Sequence, residues 1–309
     1  MRYLRDEAYM PSDRQPPPRL PHEVPMSSIA LRPTSLVPPV FFALAMASCG
    51  PSTPAGTSVE LSFEARVGDA AFACGQTYDG VGATSTSLTA YDLRLYVHDV
   101  RLVTASGHEV PLTLDDDDFQ NGSVALLDFE TGGAAREAGN APTHTTLTGT
   151  VAEAGPYTAL RLRIGVPESR NHLDSGGQPS PLNLTSMYWG WQAGYKFLRF
   201  EAGTTGVPSG IVFHLGATNC TGDATMGTRT CANGNRPDLE IPLPAGFTPG
   251  THTFVLDVAS WLADLDLDHD MGGDPGCMSG TSDPDCAAWF GTVGLPSATT
   301  QTIFTVEAR

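Results

Sequence analysis

Lysine is almost absent from this 309-residue chain, in which Lys196 is the single lysine. Arg and Lys together number 17 against 34 Asp and Glu, which gives a formal net charge of −17 at pH 7. The acidic excess persists when residues 1–48 are set aside. So negative a surface argues against binding to nucleic acid or anionic lipid and favours the attraction of cations or of a basic partner.

The chain also lacks an apolar run long enough to cross a bilayer, which requires about 20 residues. A shorter apolar run, residues 36–47, follows Arg32 and ends at Cys49, with Met26 as the better initiator. This pattern is typical of a secretory signal peptide followed by a bacterial lipoprotein cysteine. The alternative is ordinary cleavage nearby, which leaves Cys49 as a free thiol. We therefore expect an exported protein, lipid-anchored at the periplasmic face of a bacterial membrane.

Residues 1–25 are rich in Pro and Arg and show no apolar periodicity, so we expect them to be disordered or to precede the true start. No linker or internal repeat follows residue 54. The predicted organisation has three parts: a leader with signal peptide (1–48), a lipoprotein tether (49–58) and one folded domain (59–309).

Enzyme signatures are scarce. The sequence contains no nucleophile elbow, no phosphate-binding Gly loop and no haem-attachment C-x-x-C-H. Asp128 and Glu130 share a strand face at a spacing that would suit acid–base hydrolysis, but a structural role at a strand end is simpler. The run of aspartates at 266, 268 and 270 lacks the Gly and Glu of an EF-hand loop. We predict a binding protein rather than an enzyme.

Alternating apolar and polar residues predict half-buried strands at residues 59–67 and 160–166. Residues 93–103 are apolar on both faces over part of their length, which is typical of a central strand. Further short strands are predicted with Gly and Pro between them. The fold class is therefore mostly β, an antiparallel sandwich-like single domain with long loops and one or two short helices.

Two local features refine this prediction. The dipeptide Asn121-Gly122 predicts a hairpin that joins residues 112–114 to residues 124–129. Helical character is restricted to residues 259–267 and 285–293.

Cysteine is limited to six residues, and five remain when Cys49 is set aside. Export makes disulfides the default. Neighbouring pairs would each close a short polar loop and stabilise the fold by about 2–3 kcal/mol, although spacing alone leaves crossed pairings open. A thiolate copper site is the functional alternative. The neighbouring pairs are Cys220 with Cys231 and Cys277 with Cys286, which leaves Cys74.

The densest aromatic stretch is residues 183–201, which contains Trp189, Trp191 and the single lysine. If the segment is extended, Met187, Trp189 and Trp191 share one face. A core-forming strand is one interpretation. A carbohydrate-binding β-sandwich is another, in which both indoles stack on sugars from an exposed flat face and the aspartate loop holds calcium.

Several ordered blocks resemble one known family. The segment MYWGWQAGYKF (187–197) resembles the signature of the MbnP family, periplasmic copper-binding proteins associated with methanobactin operons and other copper-handling gene clusters. The resemblance extends over about two hundred residues. The further blocks are FACGQTY (72–78), DLRLYVHDVRL (92–102), LLDFE (126–130), GVP (165–167) with NH (171–172), FHLG (213–216) and PGCMSG (275–280) with DPDC (283–286).

The resemblance implies a copper site made of one His, one Met and a kynurenine formed from the first Trp of Trp-x-Trp. A soft thioether beside an imidazole selects Cu(I) over hard cations. By position these residues correspond to His214, Met187 and Trp189. The reserve candidates are His172, Met278 and His98. Without the resemblance, each of these histidines is more simply a hydrogen-bonded structural residue.

The family also implies a partner, a MauG-like dihaem peroxidase that oxidises Trp189 while Trp191 stays intact. In addition, the family usually has a further cysteine after the Asp-Phe-Glu block, where this chain reads GGAAR (132–136). This departure leaves Cys74 without an evident partner.

Overall fold

The computed structural model describes residues 56–132, 142–296 and 303–309; the predicted signal peptide and Cys49 lie outside them. The strands are β1 (Thr57–Val67), β2 (Ala70–Ala71), β3 (Thr77–Val81), β4 (Thr86–Thr104), β5 (Glu109–Pro111), β6 (Thr113–Leu114), β7 (Gln120–Asn121), β8 (Val124–Asp128), β9 (Thr146–Val151), β10 (Tyr157–Ile164), β11 (Tyr188–Gly190), β12 (Gly194–Tyr195), β13 (Leu198–Gly203), β14 (Ile211–Leu215), β15 (Thr218–Thr221), β16 (Thr230–Asn233), β17 (Asp238–Pro242), β18 (His252–Asp257), β19 (Gly276–Cys277) and β20 (Thr305–Ala308). The helices are α1 (Glu168–Asn171), α2 (Val258–Trp261) and α3 (Cys286–Thr292), with 3-10 turns at Ser175–Gly177 and Thr185–Met187.

Two large sheets carry most of these strands, which confirms the mostly β, sandwich-like prediction. One sheet has the order β20-β18-β1-β9-β6, and the other has the order β17-β10-β4-β13-β14-β19. Most pairings are antiparallel, but β1 with β18 and β14 with β19 are parallel. All described residues belong to one compact unit, Thr53–Arg309. None of the described helices is long and apolar enough to cross a membrane.

Strand β4 is the centre of the larger sheet. It is 19 residues long and pairs with β3, β5, β8, β10 and β13 along its length. Its middle part is buried on both faces, as the run of apolar residues at 93–103 predicts. Residues that alternate along β4 therefore point into two different interiors.

One of these interiors is the apolar core, which is rich in aromatic rings. Phe200 on β13 and Phe213 on β14 pack against Trp261 and Trp289, with the rings of Phe213 and Trp289 stacked at 5.0 Å. Each of these four rings is nearly fully buried. The residues that flank Phe200 and Phe213 must therefore face the opposite side of the sheet.

The predicted hairpin is only half correct. Asn121 pairs with Val124, so the tight turn consists of Gly122 and Ser123, and β8 pairs with the short β7. Residues Thr113–Leu114 pair instead with β9 in the other sheet. The turn signal is local, whereas the partner of the preceding strand is chosen by long-range packing.

The predicted helix at 259–267 is too long, because α2 ends at Trp261. The side chain of Asp266 accepts hydrogen bonds from the backbone N–H groups of Asp268 and His269, at 3.0 and 3.2 Å. Such an Asx turn competes with helical hydrogen bonding. The second predicted helix, 285–293, is confirmed by α3 within one residue at each end.

Candidate metal centre

A row of four ionisable side chains crosses four neighbouring strands of the larger sheet. Asp128 on β8 is the register partner of Arg94 on β4, Arg94 pairs with Arg199 on β13, and Arg199 pairs with His214 on β14. All four are buried. The row lies on the sheet face opposite the aromatic core, because the neighbours of these residues along each strand are apolar core residues.

Two further carboxylates complete this buried network. The Arg199 Nε atom lies 2.8 Å from Glu201 Oε1 and 3.1 Å from Asp92 Oδ2, and Arg94 Nε lies 2.8 Å from Asp92 Oδ1. Burying an isolated charge is costly, so charges at such depth persist only when they are paired and hydrogen-bonded. The network therefore fixes the side chains at the end of the row where His214 lies.

The imidazole of His214 is held in one orientation by Glu201. Its Nε2 atom lies 2.8 Å from Glu201 Oε1. Burial alone would raise the pKa of Glu201, but hydrogen bonds from His214 and Arg199 lower it to about 2. Because this carboxylate is ionised and can only accept, Nε2 carries the proton and Nδ1 keeps its lone pair. Burial lowers the pKa of His214, which favours the neutral imidazole.

The Nδ1 atom of His214 is buried and has no hydrogen-bond partner. A buried nitrogen lone pair without a partner is unfavourable and requires an explanation. A carboxylate on one ring nitrogen and an open lone pair on the other is the arrangement by which proteins orient metal-binding histidines. His214 is therefore prepared to donate a lone pair to a cation.

Trp189 lies beside this imidazole. The ring centroids of Trp189 and His214 are 6.3 Å apart, and Trp189 is half-buried. Its six-membered ring lies directly over Gly216, where a Cβ atom would come within 2.2 Å of the indole. The N–H of Gly216 donates to Ser279 Oγ at 3.0 Å, and Ser279 Oγ in turn donates to the carbonyl of His214. The structure thus brings two of the three predicted site residues together.

The expectation that Met187 shares a strand face with Trp189 is wrong. Met187 ends a 3-10 turn, and the strand begins at Tyr188, so the two-residue alternation does not reach it. Its side chain is fully buried, and its carbonyl accepts the N–H of Lys196 at 2.9 Å. Trp191 is likewise outside the alternation, because it lies in the turn between β11 and β12 and is 50% exposed.

A second methionine, Met278, directly follows the short strand β19 that pairs with β14. Phe213 is the parallel partner of Cys277, the last residue of β19, and Met278 is the residue that follows Cys277 in the chain. Met278 is half-buried. The following residue, Ser279, is bonded to the carbonyl of His214, so this loop remains beside β14.

Lys196 and two arginines converge on Ser186, just before Met187. Lys196 Nζ and an Arg199 guanidinium nitrogen donate to the Ser186 carbonyl at 2.9 and 3.0 Å, and Arg94 donates to the Ser186 hydroxyl. The Trp-x-Trp segment is thereby tied to the charged face of the sheet. Sequence reasoning did not single out Arg94 or Arg199, although the charged Asp92-x-Arg94 and Arg199-x-Glu201 pairs inside apolar strands were a usable signal.

The reserve histidines have other partners. His98 Nδ1 lies 2.8 Å from the carbonyl of Gly165, and burial lowers the pKa of His98 to about 4. His172 Nδ1 lies 3.0 Å from the carbonyl of Trp191, and its Nε2 faces Cys231. His98 is a hydrogen-bonded structural histidine, and His172 belongs to a different cluster from His214.

Both predicted disulfides, Cys220–Cys231 and Cys277–Cys286, are present. The remaining cysteine of the described residues, Cys74, is a free thiol. Burial raises the pKa of Cys74 to about 11, so it is protonated and unreactive near neutral pH.

The rival interpretations lose support in this geometry. Trp191 is exposed, whereas Trp189 packs over Gly216 beside a histidine, so the indoles do not form one flat sugar-stacking face. Asp128 and Glu130 are fully buried. Asp128 accepts the N–H of Glu130 at 2.9 Å, and Glu130 accepts the N–H of Gly132, which is the structural role expected at a strand end.

Copper fits the donors that are present. The lone pair of His214 Nδ1 is open, and Met187 and Met278 are the thioethers of the predicted donor set. An intact indole offers no such lone pair, so Trp189 can join this set only after its ring is opened. The residues therefore suit a soft cation better than a hard one.

Comparison with known proteins agrees with the sequence blocks. The family model for MbnP matches residues 56–279. The solved structure of MbnP from Methylosinus trichosporium is similar, with a TM-score of 0.72 and 29% sequence identity, over 82% of this chain and 99% of that chain. No curated protein sequence matches the chain.

Proposed function

The chain belongs to the MbnP family, and on that premise we propose that it is an exported copper-binding protein of copper homeostasis. The observation that carries this proposal is the buried, unpartnered Nδ1 of His214, with Glu201 on the opposite ring nitrogen and Trp189 alongside. It is proposed to act at the periplasmic face of a bacterial membrane, held there by a lipid on Cys49. Its role is binding rather than catalysis.

In the proposed site His214 supplies the imidazole, Met187 the thioether and Trp189, as kynurenine, the third ligand. Met278 is the second candidate for the thioether. Oxidative cleavage of the indole C2–C3 bond, followed by hydrolytic loss of C2 as formate, leaves an aniline nitrogen and a ketone, and either group has a lone pair that faces outward from the remaining ring. Bound copper, as Cu(I), is a soft Lewis acid that prefers such nitrogen and sulfur donors.

The oxidation of Trp189 requires a strong oxidant, and a MauG-like dihaem peroxidase is proposed as the partner that supplies it. Trp191 is half exposed and lies two residues from Trp189, so it is suited to contact the partner and to relay the electron hole inward. Trp189 is the residue modified because it lies beside His214, whereas Trp191 remains an indole.

The test is production of the protein with and without the dihaem peroxidase. Without it, Trp189 should be intact and copper binding weak. With it, mass spectrometry should find kynurenine at Trp189 alone, and tight copper binding should appear. The Trp189→Phe variant keeps the aromatic bulk but removes the source of the aniline nitrogen.

Trp191→Phe is the matched control for this experiment. It should mature more slowly if Trp191 relays the hole, and it should bind copper as tightly as the unsubstituted protein once mature. Copper binding by Trp189→Phe as tight as that of the mature protein would rule out the kynurenine mechanism.

A further inference from the structure

His172 lies against the Cys220–Cys231 disulfide. Its Nε2 atom is 3.2 Å from Cys231 Sγ, and the donor atoms of the three residues all lie within 4.8 Å of one another. Cys220 and Cys231 face each other as register partners on β15 and β16. An imidazole and two sulfurs are thus gathered at one point, and none of these residues belongs to the His214 cluster.

The Nε2 atom of His172 faces Cys231 Sγ and also accepts a hydrogen bond from Asn171, which a bound cation would displace. The Nδ1 atom of His172 lies 3.0 Å from the Trp191 carbonyl, which can only accept, so Nδ1 carries the proton and Nε2 has the lone pair. Asn171 Nδ2 donates to the same Nε2 at 3.1 Å, and Asn171 Oδ1 accepts the N–H of Tyr195. These bonds hold the ring in place independently of the disulfide.

The two disulfides differ in accessibility. Cys220 and Cys231 are half-buried on the small β15–β16 sheet, whereas Cys277 and Cys286 are 0% and 2% exposed. A dithiol reductant must reach a sulfur atom along the S–S axis, so an accessible disulfide is reduced first. The pair beside His172 is therefore the one that we expect a reductant to open first.

We propose that Cys220, Cys231 and His172 form a thiol-gated site for a soft d10 cation such as Cu(I). In the oxidised protein the sulfurs are bonded to each other and the site is closed. Two thiolates and one neutral imidazole are donors that soft d10 cations prefer. The site uses none of the residues proposed for the Trp189 centre, and it does not depend on that proposal.

Opening the site is a balanced exchange. A dithiol attacks one sulfur, a mixed disulfide forms, and the second thiol of the reductant releases both cysteines as thiols while the reductant becomes a disulfide. Two electrons and two protons pass to the protein. Binding of the cation to both sulfurs then displaces the thiol protons, so affinity rises with pH.

The experiment uses a Cys74→Ser/His214→Phe background, which removes the free thiol and the imidazole of the other centre. The protein is treated with dithiothreitol, and alkylation followed by mass spectrometry identifies the reduced disulfide. After anaerobic desalting, Cu(I) is titrated in competition with a chromophoric chelator. We expect Cys220–Cys231 to open first and the reduced protein to bind one Cu(I) per chain at least about 100-fold more tightly than the oxidised protein.

Matched variants assign the ligands. The Cys220→Ser/Cys231→Ser variant should show no increase in Cu(I) affinity on reduction, whereas the Cys277→Ser/Cys286→Ser variant should still show it. His172→Phe should bind Cu(I) at least about 10-fold more weakly, because one donor is lost. His172→Gln, which keeps a donor toward Trp191, gives the same readout if the Phe variant does not fold. No gain in Cu(I) binding on reduction, prior opening of Cys277–Cys286, or full affinity in both His172 variants would overturn the proposal.

Discussion

The Nε2 atom of His214 lies 2.8 Å from Oε1 of Glu201, and this contact decides which ring nitrogen can serve a metal. The carboxylate accepts a hydrogen bond from Nε2–H, so the lone pair is on Nδ1 in the buried interior. Glu201 is itself held by Arg199, which is the register partner of His214 on the neighbouring strand. The orientation of the proposed ligand is therefore fixed before any cation arrives, which reduces the reorganisation that binding requires.

The Glu201→Gln variant should weaken copper binding by about 10- to 100-fold, because His214 loses the charged acceptor that orients it. Chelator competition on the mature protein measures the effect. Asp92→Asn is the matched control, because Asp92 shares Arg199 with Glu201 but forms its ion pairs with Arg94 and Arg199 rather than with the imidazole. Equal losses in both variants would instead point to general destabilisation of the charged network.

The two methionines can be separated by the same isosteric change. Met187→Leu should weaken copper binding by at least about 100-fold if this thioether is a ligand, whereas Met278→Leu should change it by less than about threefold. Leu keeps most of the volume, so folding should survive in both variants. The opposite result would assign the thioether to Met278, which follows the strand paired with β14.

The Gly216→Ala variant should displace the indole of Trp189, because the new Cβ would come within 2.2 Å of it. We expect the yield of kynurenine to fall and the Trp fluorescence to change. Gly177→Ala is the control, because nothing lies within 4 Å of a Cβ at that position. Normal maturation of Gly216→Ala would show that the position of the indole does not control its oxidation.

The His98→Asn variant should alter the pH dependence of stability. Burial lowers the pKa of His98 to about 4 from a usual value of 6.5, so below pH 6.5 the unfolded chain binds more protons at this residue than the folded chain. Above pH 6.5 the neutral His98 does not reduce the free energy of unfolding. As the pH falls from 6.5 to 4, the free energy of unfolding decreases by up to about 3 kcal/mol. The free energy of unfolding of the variant should decrease less between pH 6.5 and 4, and urea denaturation at each pH would measure it. An unchanged pH profile would contradict the buried neutral assignment.

The Cys49→Ala variant tests the anchor. It removes the thiol that would receive the lipid, so the protein should move from the membrane fraction to the soluble periplasmic fraction. Mass spectrometry of the unsubstituted protein should also find residues 1–48 removed. Continued membrane association of the variant would contradict the lipoprotein prediction.

Much of the fold was predictable because its signals are local. Alternation revealed β1 and β10, a doubly apolar run revealed the centre of β4, and short spacing suggested both disulfides. The association of Trp189 with His214 came from the family blocks, since 25 residues separate them and no periodic pattern relates them.

The charged row could not be predicted in the same way. Asp128, Arg94, Arg199 and His214 meet only because four strands adopt one particular register, and register depends on contacts spread over the whole sheet. Met187 shows a second limit of prediction from sequence, which is local rather than long-range. A 3-10 turn ends at that residue, and one turn of helix displaces a side chain from the face that strand alternation assigns to it.

Because Lys196 is buried, its chemical reactivity can be used to follow the opening of the Trp-x-Trp segment. Its ammonium group is enclosed and donates to the Ser186 carbonyl, which immediately precedes Met187. Because the chain contains no other lysine, an amine-selective acylating reagent has one side-chain target, and that target is shielded while the segment is seated on the sheet. The rate of acylation at this residue therefore measures how often the Trp-x-Trp segment lifts away, without any engineered label.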